Sequence, residues 1–214
     1  MTHIEKLVNG LNVVSWLRGR SAKKAAQAVS DTRLYAAMHQ ASLFEIEQLI
    51  VDGANVNALD GPYFQTLLHH AAFDGRADVC KVFVSHDANP CVRDSFGVTA
   101  FLNACGQGHT PTAAVLFEAM ASREPDAVFA TARDGWDALG CAARGGHTST
   151  CLFLLEHGFD PLNLVNGKAP ADWAEAQGHA GAATALRAWT ARNEALRAIA
   201  DLGQDGGVMG ARVN

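Results

Sequence analysis

Two kinds of apolar block alternate along the chain. Small residues cluster at Ala36 and Ala37, Ala71 and Ala72, Ala104 and Cys105, and Ala142 and Ala143. Each cluster is followed by larger residues: Leu49 and Ile50, Val82 to Val84, Val115 to Phe117, and Leu152 to Leu155. Thr32, Thr66, Thr99 and Asp137 open the small-residue segments, and their side-chain oxygens can cap the free N–H groups of a helix start, which Ala169 at the corresponding place cannot. Gly75, Gly108, Gly146 and Gly178 end these segments, where a left-handed backbone is needed. The pattern predicts a short helix of small residues that lets neighbouring helices approach closely, then a turn, then a second helix bearing the large apolar side chains. Pro111 falls in the first turn of one such second helix, where its missing N–H costs nothing.

The alternation is a repeat. TRLYAAMHQA begins at Thr32, TLLHHAAFDG at Thr66, TAFLNACGQGH at Thr99, DALGCAARGGH at Asp137 and APADWAEAQGH at Ala169, with spacings of 34, 33, 38 and 32 residues. No single unit can bury its apolar stripe, whereas stacked neighbours bury a continuous core between them. These openings resemble the ankyrin repeat, whose unit is about 33 residues with a TPLHxA start. DGANVNA at 52–58, HDANPCV at 86–92 and HGFDPLN at 157–163 resemble that family's end-of-helix turn, and LIVDGA and LLEHGF its outer-helix ending. The resemblance covers about residues 32–189 and implies an all-α solenoid of about five helix-turn-helix repeats with finger loops. The expected organisation is an N-terminal helical cap at 1–31, a repeat domain at 32–189 and a C-terminal helix with a flexible tail at 190–214.

The paired histidines His69 and His70, with Asp74 and Asp78 beyond them, raise the question of a metal site. The repeat frame answers it differently. His69 takes the TPLH position, for which the resemblance implies a structural hydrogen bond, while His109, His147 and His179 share the slot after the inner-helix glycine, and His86 and His157 precede the outer turn. His70 is the next helical residue, about 100° around the axis from His69, so the two do not converge on one ion. No metal and no cofactor is expected.

Composition narrows the function classes. A formal net charge of −5 and a pI near 5.9 argue against a nucleic-acid partner, which usually leaves a basic footprint. Five cysteines without a CxxC pair fit reduced thiols better than a disulfide framework or a zinc knuckle. Cys80, Cys105, Cys141 and Cys151 fall on the predicted helices as small hydrophobes. No GxSxG, P-loop, HExxH or GxGxxG in its strand and helix context occurs, so the chain is expected not to be an enzyme. No run approaches the roughly 18 apolar residues of a membrane span, and the expected location is cytoplasmic, with secretion by a signal-peptide-independent route as the alternative.

The resemblance implies fingers projecting from one edge and inner helices lining a concave face, the surface such proteins use for binding. In that register the finger loops carry Tyr63, Phe64, Phe96, Arg133 and Trp136, and the inner-helix ends carry Phe73, Asp74 and Arg144. Exposed aromatics beside arginines are the usual anchors of protein interfaces. These eight residues are the candidate site, facing a protein partner of unknown identity. The competing reading is that Phe96 and Trp136 pack against neighbouring fingers. The lengthened third interval, AMASREPDAVFATA at 119–132, contains Pro125, which should break the chain direction.

At the N-terminus, Ile4, Leu7, Val8, Leu11, Val14 and Leu17 form a helical stripe expected to cap the first repeat. Trp16 and the basic Arg18, Arg20, Lys23 and Lys24 resemble interfacial anchors, which makes a membrane-surface helix the alternative. Leu186, Trp189, Leu196, Ile199 and Leu202 predict a closing helix or pair of helices. The reading of the whole is a monomeric protein-interaction module that regulates or scaffolds its partner. A secreted bacterial effector is the alternative, and a redox sensor or enzyme with a cryptic site is the third class.

Overall fold

The computed structural model describes residues 27, 30–39 and 42–205. The N-terminal stripe from Ile4 to Leu17 with its basic flank, Gln40, the side chains of Ile199 and Leu202, and the tail beyond Asp205 lie outside the described residues. Five helix pairs follow one another: α1 (30–39) with α2 (Leu43–Val51), α3 (Leu67–Phe73) with α4 (Ala77–Ser85), α5 (Ala100–Gly106) with α6 (Thr110–Arg123), α7 (Ala138–Arg144) with α8 (Thr148–Glu156), and α9 (Pro170–Ala176) with α10 (Ala180–Asp205). From α3 onward the first helices of the pairs stack on one another as an inner layer, and the second helices stack as an outer layer. The architecture is an all-α solenoid of stacked helix pairs.

Helices α3, α5, α7 and α9 are seven residues long, well below the ~12–15 residues at which an isolated helix becomes marginal in water. Packing must therefore hold them. Ala71, Ala72, Ala104, Cys105, Ala142 and Ala143 are buried along their contacts, while Val79, Phe83, Leu116, Met120, Leu154 and Leu155 fill the outer layer. Small side chains inside and large ones outside draw the inner helices closer together, which bends a stack toward its inner side.

Helix starts follow the expected chemistry with two exceptions. Thr99 Oγ1 accepts from the Leu102 N–H at 3.3 Å, and an Asp137 carboxylate oxygen accepts from the Gly140 N–H at 2.7 Å. Thr66 caps no backbone N–H; its hydroxyl meets His69 Nδ1 at 2.8 Å instead. Thr32 lies inside α1, whose helical turns already include Ser30 and Asp31. Asp31 serves the following turn by accepting from the Asn55 N–H at 2.8 Å.

Two further segments differ from expectation in detail. The lengthened third unit is a helical extension of α6 followed by a 3-10 helix at Pro125–Phe129, with Val128 buried and the Phe129 ring 4.9 Å from Phe159. Pro125 does redirect the chain, but the segment folds onto the fourth unit. The expected boundary at residue 190 falls within α10, which is one helix running through Gly203 to Asp205, because the closing element continues the outer helix of the fifth unit. No helix among the described residues is long and apolar enough to cross a membrane.

Candidate protein-binding surface

The fingers are built from the turns between units. In the first, Leu59–Asp60 and Gln65–Thr66 pair antiparallel, with Leu59 opposite Thr66 and Asp60 opposite Gln65. The next finger closes on the buried carboxylate of Asp94, whose Oδ1 accepts from the Phe96 and Val98 N–H groups, both at 2.9 Å. The fingers are tied in series: Ser95 N–H donates to the Tyr63 carbonyl at 2.8 Å, and Arg133 N–H to the Phe96 carbonyl at 2.9 Å. Gln65 Nε2 also donates to Asp94 at 3.2 Å. This backbone ladder fixes the spacing at which the finger side chains are presented.

Four of the candidate aromatics are displayed to solvent: Tyr63 at 53%, Phe64 at 57%, Phe73 at 52% and Phe96 at 56%. The Tyr63 and Phe96 rings lie 5.4 Å apart, tilted by 35°, so adjacent fingers present them as one patch. Phe64 occupies the left-handed region at φ 56°, a conformation that costs a bulky residue about 1–2 kcal/mol and displays its ring at the finger tip. At the end of α3, Asp74 pairs with His39 Nδ1 at 3.1 Å, and both side chains remain well exposed.

Trp136 does not belong to this exposed patch. It is 8% exposed, its ring packs 5.0 Å from Trp173 of the next inner helix, and the Arg144 guanidinium lies 5.2 Å above it. The following unit supplies a cover for Trp136, whereas Phe96 stays more than half exposed. Lys168 Nζ sits 4.8 Å from the Trp173 ring, so the two tryptophans, tilted by 55°, form an oblique stack with a cation over each ring. Trp173 Nε1–H donates to the Val165 carbonyl at 2.9 Å, which anchors the stack to the last finger. Arg133 and Arg144 are exposed as expected. Reading the sequence missed Trp173 and Arg93 and gave Lys168 no role beyond a loop position, although Lys168 occupies the slot of Trp136 one unit later.

The histidines hold the frame. His69 Nδ1 accepts from the Thr66 N–H at 3.1 Å, and Nε2–H donates to the Val98 carbonyl of the next finger at 3.1 Å, so both ring nitrogens are used in a neutral tautomer. Burial lowers its pKa, against opposing contributions from the Val98 carbonyl and Asp94. His109 Nε2–H donates to the Phe73 carbonyl at 3.1 Å and His147 Nε2–H to the Gly106 carbonyl at 3.0 Å, linking each unit to the end of the preceding inner helix. The facing glycines make room for these rings: a Cβ at Gly75 would lie 2.6 Å from His109, and one at Gly108 2.3 Å from His147. His70 turns the other way, its Nε2 3.5 Å from Asp60 and its ring edge-on to Tyr35 at 5.1 Å; burial lowers its pKa while Asp60 opposes the shift.

Burial pushes the thiols of Cys80, Cys141 and Cys151 up to about 12 and that of Cys105 well above its ordinary value. A thiol so far from its thiolate is a poor nucleophile and a poor redox sensor at neutral pH.

A family model of ankyrin repeats in three copies matches residues 33–127, and a single ankyrin-repeat model matches residues 134–167. The chain is 34% identical over 74 residues to the 2-5A-dependent ribonuclease of Mus musculus, which covers 35% of this chain and 10% of that protein. It is 38% identical over 80 residues to the probable E3 ubiquitin-protein ligase XBOS34 of Oryza sativa subsp. japonica, covering 36% of this chain and 16% of the ligase. A third similarity, 29% over 96 residues, is to a transient receptor potential cation channel subfamily A member 1 homolog of Caenorhabditis elegans, covering 45% of this chain and 8% of the channel. The chain thus spans a small fraction of the length of each of these relatives.

Proposed function

This chain belongs to the ankyrin-repeat family, and from that premise we propose that it is a protein-interaction module that holds its partner against the exposed finger aromatics and the inner-helix ends of units two to four. Repeats of this family are generally interaction modules without chemistry of their own, and the partial matches to a ribonuclease and a ligase bring none of those proteins' catalysis to this chain. The observation that carries the reading is the set of Tyr63, Phe64, Phe73 and Phe96, each more than half exposed, with Tyr63 and Phe96 on fingers tied by backbone hydrogen bonds and Phe73 at a helix end held by His109. Rigid aromatics bury large areas at low entropic cost, which is the physical signature of interface anchors. Asp74, Arg133 and Arg144 supply charged contacts along the same strip, whereas Trp136 is buried against Trp173 and is not an anchor.

Binding of this kind regulates or scaffolds the partner. The secreted-effector alternative rests on sequence composition alone, twelve arginines against five lysines, and the relatives, from mouse, rice and a nematode, add nothing to it. The test is affinity capture from native lysate with the intact protein and with the combined Tyr63→Ala, Phe64→Ala and Phe73→Ala variant. A protein lost selectively with the variant, at unchanged thermal unfolding, supports the reading. Loss of folding in the variant would instead make the aromatics part of the core.

A further inference from the structure

We propose that the cationic row of Arg133, Arg144 and Lys168, along the fingers and inner-helix ends of units four and five, binds carboxylate side chains of an acidic, extended segment of the protein partner. The proposal rests on the interaction reading above and gives that partner a chemistry. Its first ground is that these charges are unspent. Among the described residues the ion pairs join Arg76 to Asp78 and Arg187 to Asp172 and Glu175, and His39 and His70 lie against Asp74 and Asp60; none of these contacts uses Arg133, Arg144 or Lys168. All three are exposed in a protein whose net charge is −5.

The second ground is that the row is held in place. Arg144 lies 5.2 Å over Trp136 and Lys168 4.8 Å over Trp173, and the two rings pack on each other. An aromatic face attracts a cation without neutralising it, and a guanidinium stacked on a ring keeps its N–H edges free for a bidentate carboxylate. On the neighbouring finger, Gly97 at φ 76° makes room for the Arg133 side chain, since a Cβ there would lie 3.0 Å from Arg133 Cγ, with Arg93 Nη2 alongside at 3.5 Å from the same point. Arg93 donates from Nη2 to the Thr131 carbonyl, so its position beside Arg133 is fixed. Gathering like charges on one edge opposes folding and is consistent with a site that awaits an anion.

Third, the row borders a cleft of about 320 Å³ lined by Val98, Ala132, Trp136, Cys141 and Arg144, with Asp134 also on its lining. The apolar wall accepts a small side chain while Arg144 meets a neighbouring carboxylate. Trp136 is buried and both tryptophans carry a cation over a ring, which leaves less ring face on which a nucleobase can lie and favours an acidic peptide over a single-stranded nucleic acid. Across the strip, Asp60 and Asp74 stand with Tyr63, Phe64 and Phe73 at units one and two, so charge alone directs an acidic segment to units four and five and its apolar part to the fingers.

The full chain is panned with a displayed library of random linear peptides about twelve residues long, an extended mode that a groove can take up. A selected peptide is then measured by fluorescence anisotropy against the intact protein and the Arg144→Gln, Lys168→Gln, Arg133→Gln and Asp134→Asn variants. The expected result is enrichment of Asp and Glu, with affinity about tenfold weaker in Arg144→Gln, as loss of a charge-assisted hydrogen bond requires. Affinity should also fall on raising salt from roughly 50 to roughly 500 mM, and tighten about threefold in Asp134→Asn. Arg133→Gln touches neither tryptophan and keeps the test valid if Arg144→Gln unsettles the stack.

Enriched peptides without acidic residues, bound equally by every charge variant, would overturn the proposal and leave the interaction reading standing. An absence of enriched peptides also overturns it, while the capture experiment with the aromatic variant decides the interaction reading separately. Binding of a short single-stranded RNA that Arg144→Gln abolishes, with no acidic peptide bound, would replace the peptide by nucleic acid.

Discussion

Two aromatic pairs along the stack, one between the fingers of units two and three and one between the finger of unit four and the inner helix of unit five, have opposite outcomes. Tyr63 and Phe96 touch each other at 5.4 Å yet stay more than half exposed, while Trp136 and Trp173 touch at 5.0 Å and Trp136 is buried. The difference lies in what covers the pair. Arg144 and Lys168 close over the tryptophans, and Trp173 is supplied by the next inner helix, α9, with its indole N–H bonded to the last finger. Backbone hydrogen bonds join the fingers of Tyr63 and Phe96, but among the described residues no cation closes over their rings, which stay more than half exposed. An aromatic at a finger is therefore displayed to solvent or built in as a beam according to its neighbour in the next unit, and the same fold contains both.

Trp136→Ala should break the comparison most severely. Removing a buried tryptophan costs about 3–5 kcal/mol through lost transfer free energy and the cavity left behind. Urea unfolding should show that loss, together with release of Lys168 and Arg144 from their fixed positions. A cost near that of an exposed substitution would mean that the two pairs are equivalent after all. His69→Ala is expected to follow at about 1–3 kcal/mol, because it leaves the buried Val98 carbonyl and Thr66 N–H without their partner.

The same histidine carries a pH dependence. Burial lowers its folded pKa below the ordinary value of 6.5, and that of His70 as well, so the folded state favours the neutral rings and the unfolded state takes up protons first. The contribution is fully present above pH 6.5 and is lost as pH falls from there toward the folded pKa values. Denaturant midpoints measured from pH 7.5 downward should decline in this window, and His69→Ala should flatten the decline. Gly97→Ala comes next, at about 1 kcal/mol or somewhat more: it forces a side chain into the left-handed region and against Arg133, and its cost is read from the same unfolding curve.

The repeat frame was legible in the sequence because its signals are local. Glycines at the helix ends, small residues before them and large residues after them each act within one unit, and the histidine of the TPLH slot forms the hydrogen bonds that the resemblance implied. The sequence left the fate of Trp136 open between display and packing against a neighbouring unit. The preceding units hold Val98 and Gln65 in its slot and the following unit holds Lys168, so register alone assigns no burial there, and its cover comes from Trp173 in the next unit. Arg93 was missed for a similar reason, since its hydrogen bond to the Thr131 carbonyl reaches into the next unit. The length of the 119–132 segment could be read directly, but its docking depends on the contact between Phe129 and Phe159 across units. Contacts between units decide what each surface does, and a period read along one chain does not contain them.

The smallest expected effect sharpens the comparison most. Phe64 sits at φ 56° with its ring in solvent, so Phe64→Gly relieves backbone strain of about 1–2 kcal/mol and gives back part of it as chain entropy in the unfolded state. The balance is a gain of about 0.5 kcal/mol, visible as a slightly higher denaturant midpoint, whereas Phe64→Ala keeps the strain and should be neutral or slightly destabilising. A stability loss in Phe64→Gly as large as that of a core substitution would show that the ring supports the fold, and the finger would then be a second beam. If the gain appears together with weakened capture of the partner, the protein retains at this tip a residue that costs it stability. That is the expected signature of a position kept for binding, in contrast to the tryptophan stack, where packing requires the aromatic.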